Sequence, residues 1–159
     1  MPTRPDAATL AALLPGEWRV GATNFPIWLG GDRLRPTFRY EVKNADPLVL
    51  DDVVSYTAAD GTERTIVGVD RYRHGEFVWR GRRRLSLLTS HWSVVGVTDD
   101  ASIVIIRFSK TLFTPEGVDI LVRVGTGSHE FRAIVAAAAE PLGLSTGEFA
   151  SLTWLELAD

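Results

Sequence analysis

The chain has 159 residues, 45% of them apolar and 23% charged, with a formal net charge of −3 at pH 7, which suits one globular domain with a sizeable core. This balance lacks the basic surface by which nucleic-acid-binding proteins engage phosphates. No apolar run approaches the roughly 20 residues of a membrane-spanning helix, and the absence of cysteine removes disulfides and thiolate chemistry.

Met1-Pro2-Thr3-Arg4-Pro5-Asp6 carries no charged-then-apolar leader, so a soluble cytoplasmic protein is expected. Ala7 to Leu14 places Leu10, Leu13 and Leu14 at helical spacing behind Asp6 as cap, and Pro15-Gly16 stops it. Eight strand-like segments follow: Glu17–Thr23, Arg33–Lys43, Leu48–Ala58, Thr62–Tyr72, Glu76–Arg80, Arg84–Val97, Ser102–Leu112 and Val118–Val124. Eight is the number that closes a small barrel. The connections Asn44 to Pro47, Ala59 to Gly61, His74-Gly75, Thr98 to Asp100 and Thr114 to Gly117 hold turn-forming residues and are too short for helical crossovers, so an antiparallel meander is expected. Arg82-Arg83-Arg84 reads as a solvated turn.

The connection from Asn24 to Asp32 is longer and keeps Phe25, Ile27 and Trp28, which a solvated loop would shed. These three are candidates for a lid over the open mouth or, equally, for a plug of the barrel end. Past Gly125-Thr126-Gly127 the period becomes helical. Ser128 is a candidate cap for a helix to about Glu140, ended by Pro141 and Gly143. Ser145-x-x-Glu148 has the form of a capping box for a second helix that continues through Phe149, Leu152 and Leu155. The expected organisation is a single domain over residues 1–159, with the barrel at about 16–125 and helices at about 128–157.

Alternation assigns strand faces. In Arg33–Lys43 the apolar set Leu34, Pro36, Phe38, Tyr40 and Val42 should point inward, with a bend or bulge at Pro36. In Arg84–Val97 one face carries Thr89, His91 and Ser93, the other Ser90, Trp92 and Val94. If the first is interior, those polar groups line the cavity. An inward Arg107 would need a partner: either a ligand carboxylate or an internal acid such as Asp52 or Asp70, with Tyr56 and Tyr72 on their respective faces. The alternative places all these polar residues at the rim or on the outer surface.

Trp18 reads as a plug of the closed end, stacked under Arg123 from a late strand. Trp79 and Trp92 read as core or pocket wall, and Trp154 as packing of the second C-terminal helix. His74, His91 and His129 have no zinc spacing, and no nucleotide loop or nucleophile elbow occurs, so neither metal nor cofactor is expected.

The Leu14-Pro-Gly-Glu-Trp18 opening, the eight-strand meander and the trailing helix together resemble the calycin superfamily, particularly compact bacterial lipocalin-like domains. The sequence departs from secreted lipocalins in having no disulfide, and from the nitrobindin branch in following Trp18 with Arg19-Val20-Gly21. The resemblance implies binding of a small hydrophobic molecule in the barrel interior, by an intracellular carrier or sequestering protein. Phe25, Trp28, Phe38, Tyr40, Tyr56, Trp79, Thr89, His91 and Arg107 are the candidate ligand contacts. The alternative is a cofactor-free enzyme for isomerisation, cyclisation or decarboxylation of an apolar substrate, with His91, Asp70 and Tyr72 as acid–base groups. A third use is a filled barrel acting through its surface, as a homodimer through the C-terminal helices.

Overall fold

The computed structural model describes residues 4–111, 115–126 and 130–157. Helix α1 (Ala7–Leu13) starts where the Asp6 carboxylate accepts from the Thr9 amide at 2.8 Å. It leads into eight antiparallel strands: β1 (Gly16–Thr23), β2 (Arg33–Ala45), β3 (Leu48–Ala58), β4 (Glu63–Arg73), β5 (Glu76–Gly81), β6 (Thr89–Val97), β7 (Ile103–Ser109) and β8 (Gly117–Arg123). Each pairs with its sequence neighbour, and β1 pairs with both β8 and β2, closing an up-and-down barrel. The fold class matches the expectation. Among the described residues no helix is long and apolar enough to cross a membrane.

The bottom of the barrel is sealed by Trp18, which is fully buried. Its indole Nε1 donates to the Leu14 carbonyl at 3.0 Å, and the Arg123 guanidinium lies 4.0 Å from the ring centroid. Arg123 also donates to the carbonyls of Pro15, at 3.0 Å, and Leu13. One cation thus fastens the end of α1, the start of β1 and the end of β8.

Two hydrophobic layers lie on either side of the sheet. The inner one contains Phe38, Tyr40, Leu48, Leu50, Phe77, Trp92, Val94, Val104, Ile106 and Leu121. The outer one, over β7 and β8, holds Ile103, Ile105, Val118, Ile120 and Val122 under helices α2 (Phe131–Ala137) and α3 (Thr146–Ser151). Those strands are apolar on both faces because both are covered. The Leu142 carbonyl sits so close above β6 that a Cβ on Gly96 would approach it to 2.0 Å. Only glycine admits that contact.

Several boundaries differ from the sequence reading. β6 begins at Thr89 rather than Arg84, because Arg83–Leu85 form a short 3-10 turn that doubles back on Gly81, where a Cβ would meet Leu85 Cβ at 2.3 Å. Leu34 and Val42 are exposed, 40% and 39%, rather than inward. The register shift between Leu34 and Thr37 rotates Leu34 off the core face, and Val42, in register opposite Leu50, lies beyond the last β1–β2 pair, Gly16↔Tyr40; Pro36, Phe38 and Tyr40 remain buried.

The capping box of α3 is present, with Ser145 and Glu148 each bonded to the other's backbone amide. The helix nevertheless stops at Ser151 instead of running to Leu155, and Thr153–Trp154 become β9, paired with Ala22 and Thr23. Unpaired backbone on that stretch of β1 supplies the partner that the helix expectation overlooked. Trp154 accordingly packs from a strand, against Phe131 and Phe149. Leu112, Thr114, Ser128 and His129, which the sequence reading assigned to a strand end, a turn, a helix cap and a helix start, lie outside the described residues.

Replacing Arg123 by Met keeps most of the stem's packing and leaves the Leu13 and Pro15 carbonyls without their donor. Urea denaturation should show a loss of about 2–4 kcal/mol. Arg39→Met, which breaks only an exposed pair with Glu41, should cost under about 1 kcal/mol.

Candidate functional site

The interior carries three carboxyls. Asp70 on β4 stands opposite Trp79 of β5 in register and is fully buried; Trp92 Nε1 donates to its Oδ1 at 3.0 Å. Asp52 on β3, 5% exposed, is paired in register with Tyr40 of β2 and Gly68 of β4. Burial pushes Asp52 up to about 6 and holds Asp70 well above the usual carboxylate range. Asp52 Oδ1 and Asp70 Oδ2 are the two carboxylate oxygens buried without a hydrogen-bond partner among the described residues, and each carboxyl shifts the other. A single proton shared between them would satisfy both. Burial, then the neighbouring acids Asp52, Asp70 and Asp119, likewise keeps the Tyr40 hydroxyl protonated well above its ordinary range.

Asp119 on β8 is the third. Its Oδ1 accepts from Thr23 Oγ1 at 2.5 Å and its Oδ2 from Trp28 Nε1 at 3.2 Å, while Thr23 Oγ1 accepts from the Phe25 amide at 2.8 Å. Burial raises Asp119 to about 7 against the lowering effect of its two donors. This carboxyl anchors the loop from Asn24 to Asp32 to the barrel. The sequence reading missed it, although an Asp between Val118 and Ile120 interrupts an otherwise apolar strand.

Phe25 and Trp28, each 7% exposed, plug the open end. Phe25 stacks on Phe108 at 4.9 Å; Trp28 tilts against Phe38 at 5.9 Å and Tyr56 at 6.4 Å. Below them the aromatics continue, with Tyr40 and Phe77 stacked on Trp92 at 5.6 and 4.4 Å and Tyr72 beside Phe77 at 5.0 Å. Of the candidate contacts, Phe25, Trp28, Phe38, Tyr40, Tyr56 and Trp79 therefore belong to one inner cluster.

Thr89, His91 and Arg107 do not. Ser90, Trp92 and Val94 take the inner face of β6, which turns Thr89, His91 and Ser93 outward. His91 Nδ1 lies 2.9 Å from Glu76 Oε1 on the outer surface, so His91 is separated by the barrel wall from Asp70 and Tyr72. Arg107 also faces outward, gripping Glu148 of α3 through Nε at 2.8 Å and Nη2 at 2.7 Å, and donating to the Gly143 carbonyl at 2.9 Å. That pair holds Glu148 below its usual range. Its partner is thus an external acid.

A solvent-facing cleft lies at the β1–β2 seam. The two strands pair only from Gly16↔Tyr40 to Arg19↔Thr37. Beyond, β1 bulges between Val20 and Ala22 and turns to β9, while β2 shifts register at Pro36. The strands part, and a cleft of about 610 Å³ opens between them. Val20, Trp28, Leu34, Pro36, Leu155 and Leu157 give it apolar surface; Arg19, Arg33, Arg35, Thr37, Thr57, Glu63 and Glu156 complete the lining.

Neither a protein-family model nor any curated protein sequence matches the chain. Solved structures do. Lobster apocrustacyanin A1 superposes with a TM-score of 0.65 at 13% identity, covering 97% of this chain and 87% of that one. The siderocalin Ex-FABP gives 0.61 at 15% identity, covering 92% and 95%, and the bovine lipocalin allergen Bos d 2 gives 0.57 at 18%, covering 91% and 93%. The fold is lipocalin-like.

The acid pair has a consequence for stability. The unfolded chain releases protons near the ordinary carboxylate value of 3.8, whereas folded Asp52 holds its proton up to about 6 and Asp70 is likewise held well above its ordinary value. Stability therefore falls as pH rises from about 4 through 6. Asp52→Asn, whose amide can donate to Asp70, should remove part of that slope and stabilise the protein by about 1–3 kcal/mol at pH 8. Denaturant titrations at pH 5 and pH 8 check this; an unchanged slope would refute the shared proton.

Proposed function

We propose that the protein binds a small, largely apolar molecule, as a carrier or sequestering protein, and that the ligand enters through the seam cleft. The observation that carries this reading is the cleft itself. Its volume of about 610 Å³ lies in the range of small-molecule sites, roughly 300–1,000 Å³. Trp28 joins it to the inner aromatic cluster, and Leu155 and Leu157 add apolar surface from the C-terminal segment. The siderocalin Ex-FABP, which functions through dual ligand specificities, supports ligand binding as a use of this architecture. The neutral fluorophore N-phenyl-1-naphthylamine is the direct probe. Saturable fluorescence enhancement at micromolar concentration is expected, weakened at least tenfold by Leu34→Trp, which fills the cleft from an exposed position. Equal binding by that variant would place the ligand elsewhere.

A second reading, a cofactor-free enzyme, draws on Asp119, whose carboxyl at about 7 is bonded to the indole that lines the cleft. Acid–base work would then fall to Asp119 in place of His91. A small apolar ketone incubated with the protein in D2O tests it: deuterium incorporation that Asp119→Asn abolishes supports the enzyme, and no incorporation above the buffer rate counts against it.

A further inference from the structure

The seam cleft carries more positive charge than an apolar ligand needs. Arg19, Arg33 and Arg35 line it, against Glu63 and Glu156. Three guanidinium groups against two carboxylates leave the lining with an excess of positive charge; Glu63 is held by Thr57 Oγ1, which donates to it at 2.6 Å. Arg33 has only a loose pair with Asp32 at 3.5 Å and a place 5.7 Å above the Tyr56 ring, and its Nε is buried with no hydrogen-bond partner among the described residues. A buried guanidinium N–H without an acceptor is costly, and a ligand oxygen would remove that cost. Arg35 holds a left-handed backbone, φ 51°, inside the bulge where β2 leaves β1. A long charged residue rarely adopts that conformation, and here it belongs to the stretch that opens the cleft.

Apolar surface from Trp28, Leu34 and Leu155 adjoins these arginines. The geometry points to an amphipathic anion as the ligand: an aliphatic or aromatic tail against the apolar wall, with a carboxylate or phosphate head held by Arg33, Arg35 and Arg19. This assignment rests on the binding reading above and narrows it to a chemical class. A guanidinium fork presents parallel donors to either head group, so the two anions share one recognition chemistry. The site lies in the wall of the barrel, at the seam between β1 and β2.

Ligands with one twelve-carbon tail and different heads separate the terms, each measured by displacement of N-phenyl-1-naphthylamine from the full chain. Dodecanoate should bind at least tenfold more tightly than dodecanol, dodecyltrimethylammonium more weakly than either, and the dodecanoate preference should shrink between 20 and 500 mM salt as screening grows. Monododecyl phosphate distinguishes the head groups: binding tighter than dodecanoate assigns a phosphate, weaker binding a carboxylate. The double variant Arg33→Gln/Arg35→Asn, with Asn chosen because it tolerates the left-handed backbone, should lose the anion preference while keeping the affinity for the naphthylamine and dodecanol. Arg19→Gln, on β1, gives the same test if the double variant does not fold. Equal affinity for dodecanol and dodecanoate, or a preference for the ammonium, overturns the anion assignment and leaves the binding reading standing. Failure of the naphthylamine to bind the parent chain overturns the binding reading itself.

Discussion

Four residue pairs between β1 and β2, from Gly16↔Tyr40 to Arg19↔Thr37, close this barrel. Their shortness decides much else. Below them Trp18 and Arg123 draw α1, β1 and β8 together and seal the base. Above them β2 departs, and the free edge of β1 recruits Thr153–Trp154. The same divergence leaves the cleft. Closure at one end and access at the other are two results of one limited pairing, since backbone groups without a partner must find one or face water.

The interior is arranged around protons as much as around apolar contacts. Tyr40, Phe77 and Trp92 stack through the middle, and among them sit carboxyls that no basic side chain among the described residues neutralises. Ionising such a group away from water costs several kcal/mol, so the protein keeps it neutral and hydrogen-bonded instead. Asp119 works differently, because Thr23 at the end of β1 and Trp28 of the loop both donate to it, and Thr23 in turn accepts from the Phe25 amide, so Phe25 and Trp28 are tied into the mouth. Polar groups here set where aromatic ones stand.

The barrel, its strand order and the Trp18–Arg123 contact were legible in the sequence, because alternation, turn residues and a buried aromatic at a strand start are local signals. The phase of β6 was not. Thr89, His91 and Ser93 and their neighbours Ser90, Trp92 and Val94 both alternate acceptably, and the side that faces in is settled by Trp92 reaching Asp70 of β4 past the intervening β5. Arg107 was read as needing a ligand carboxylate or an internal acid if it faced inward; it faces outward, and its acid, Glu148, comes from a helix 41 positions along the chain. Leu34 misled because a bulge breaks the period without leaving a mark in composition, and Val42 because β2 runs past the point where β1 covers it. The cleft was equally hidden: it arises where two distant strands stop pairing.

The two-sided burial of β7 and β8 also bears on how the chain is made. All eight barrel strands leave the ribosome before Phe131 to Trp154, the residues that cover their outer face. Ile103, Ile105, Val118 and Ile120 must therefore wait, apolar and uncovered, for the last segment of the chain. A nascent barrel of this design depends on rapid docking of its tail, or on a chaperone, to avoid pairing with another copy through that face.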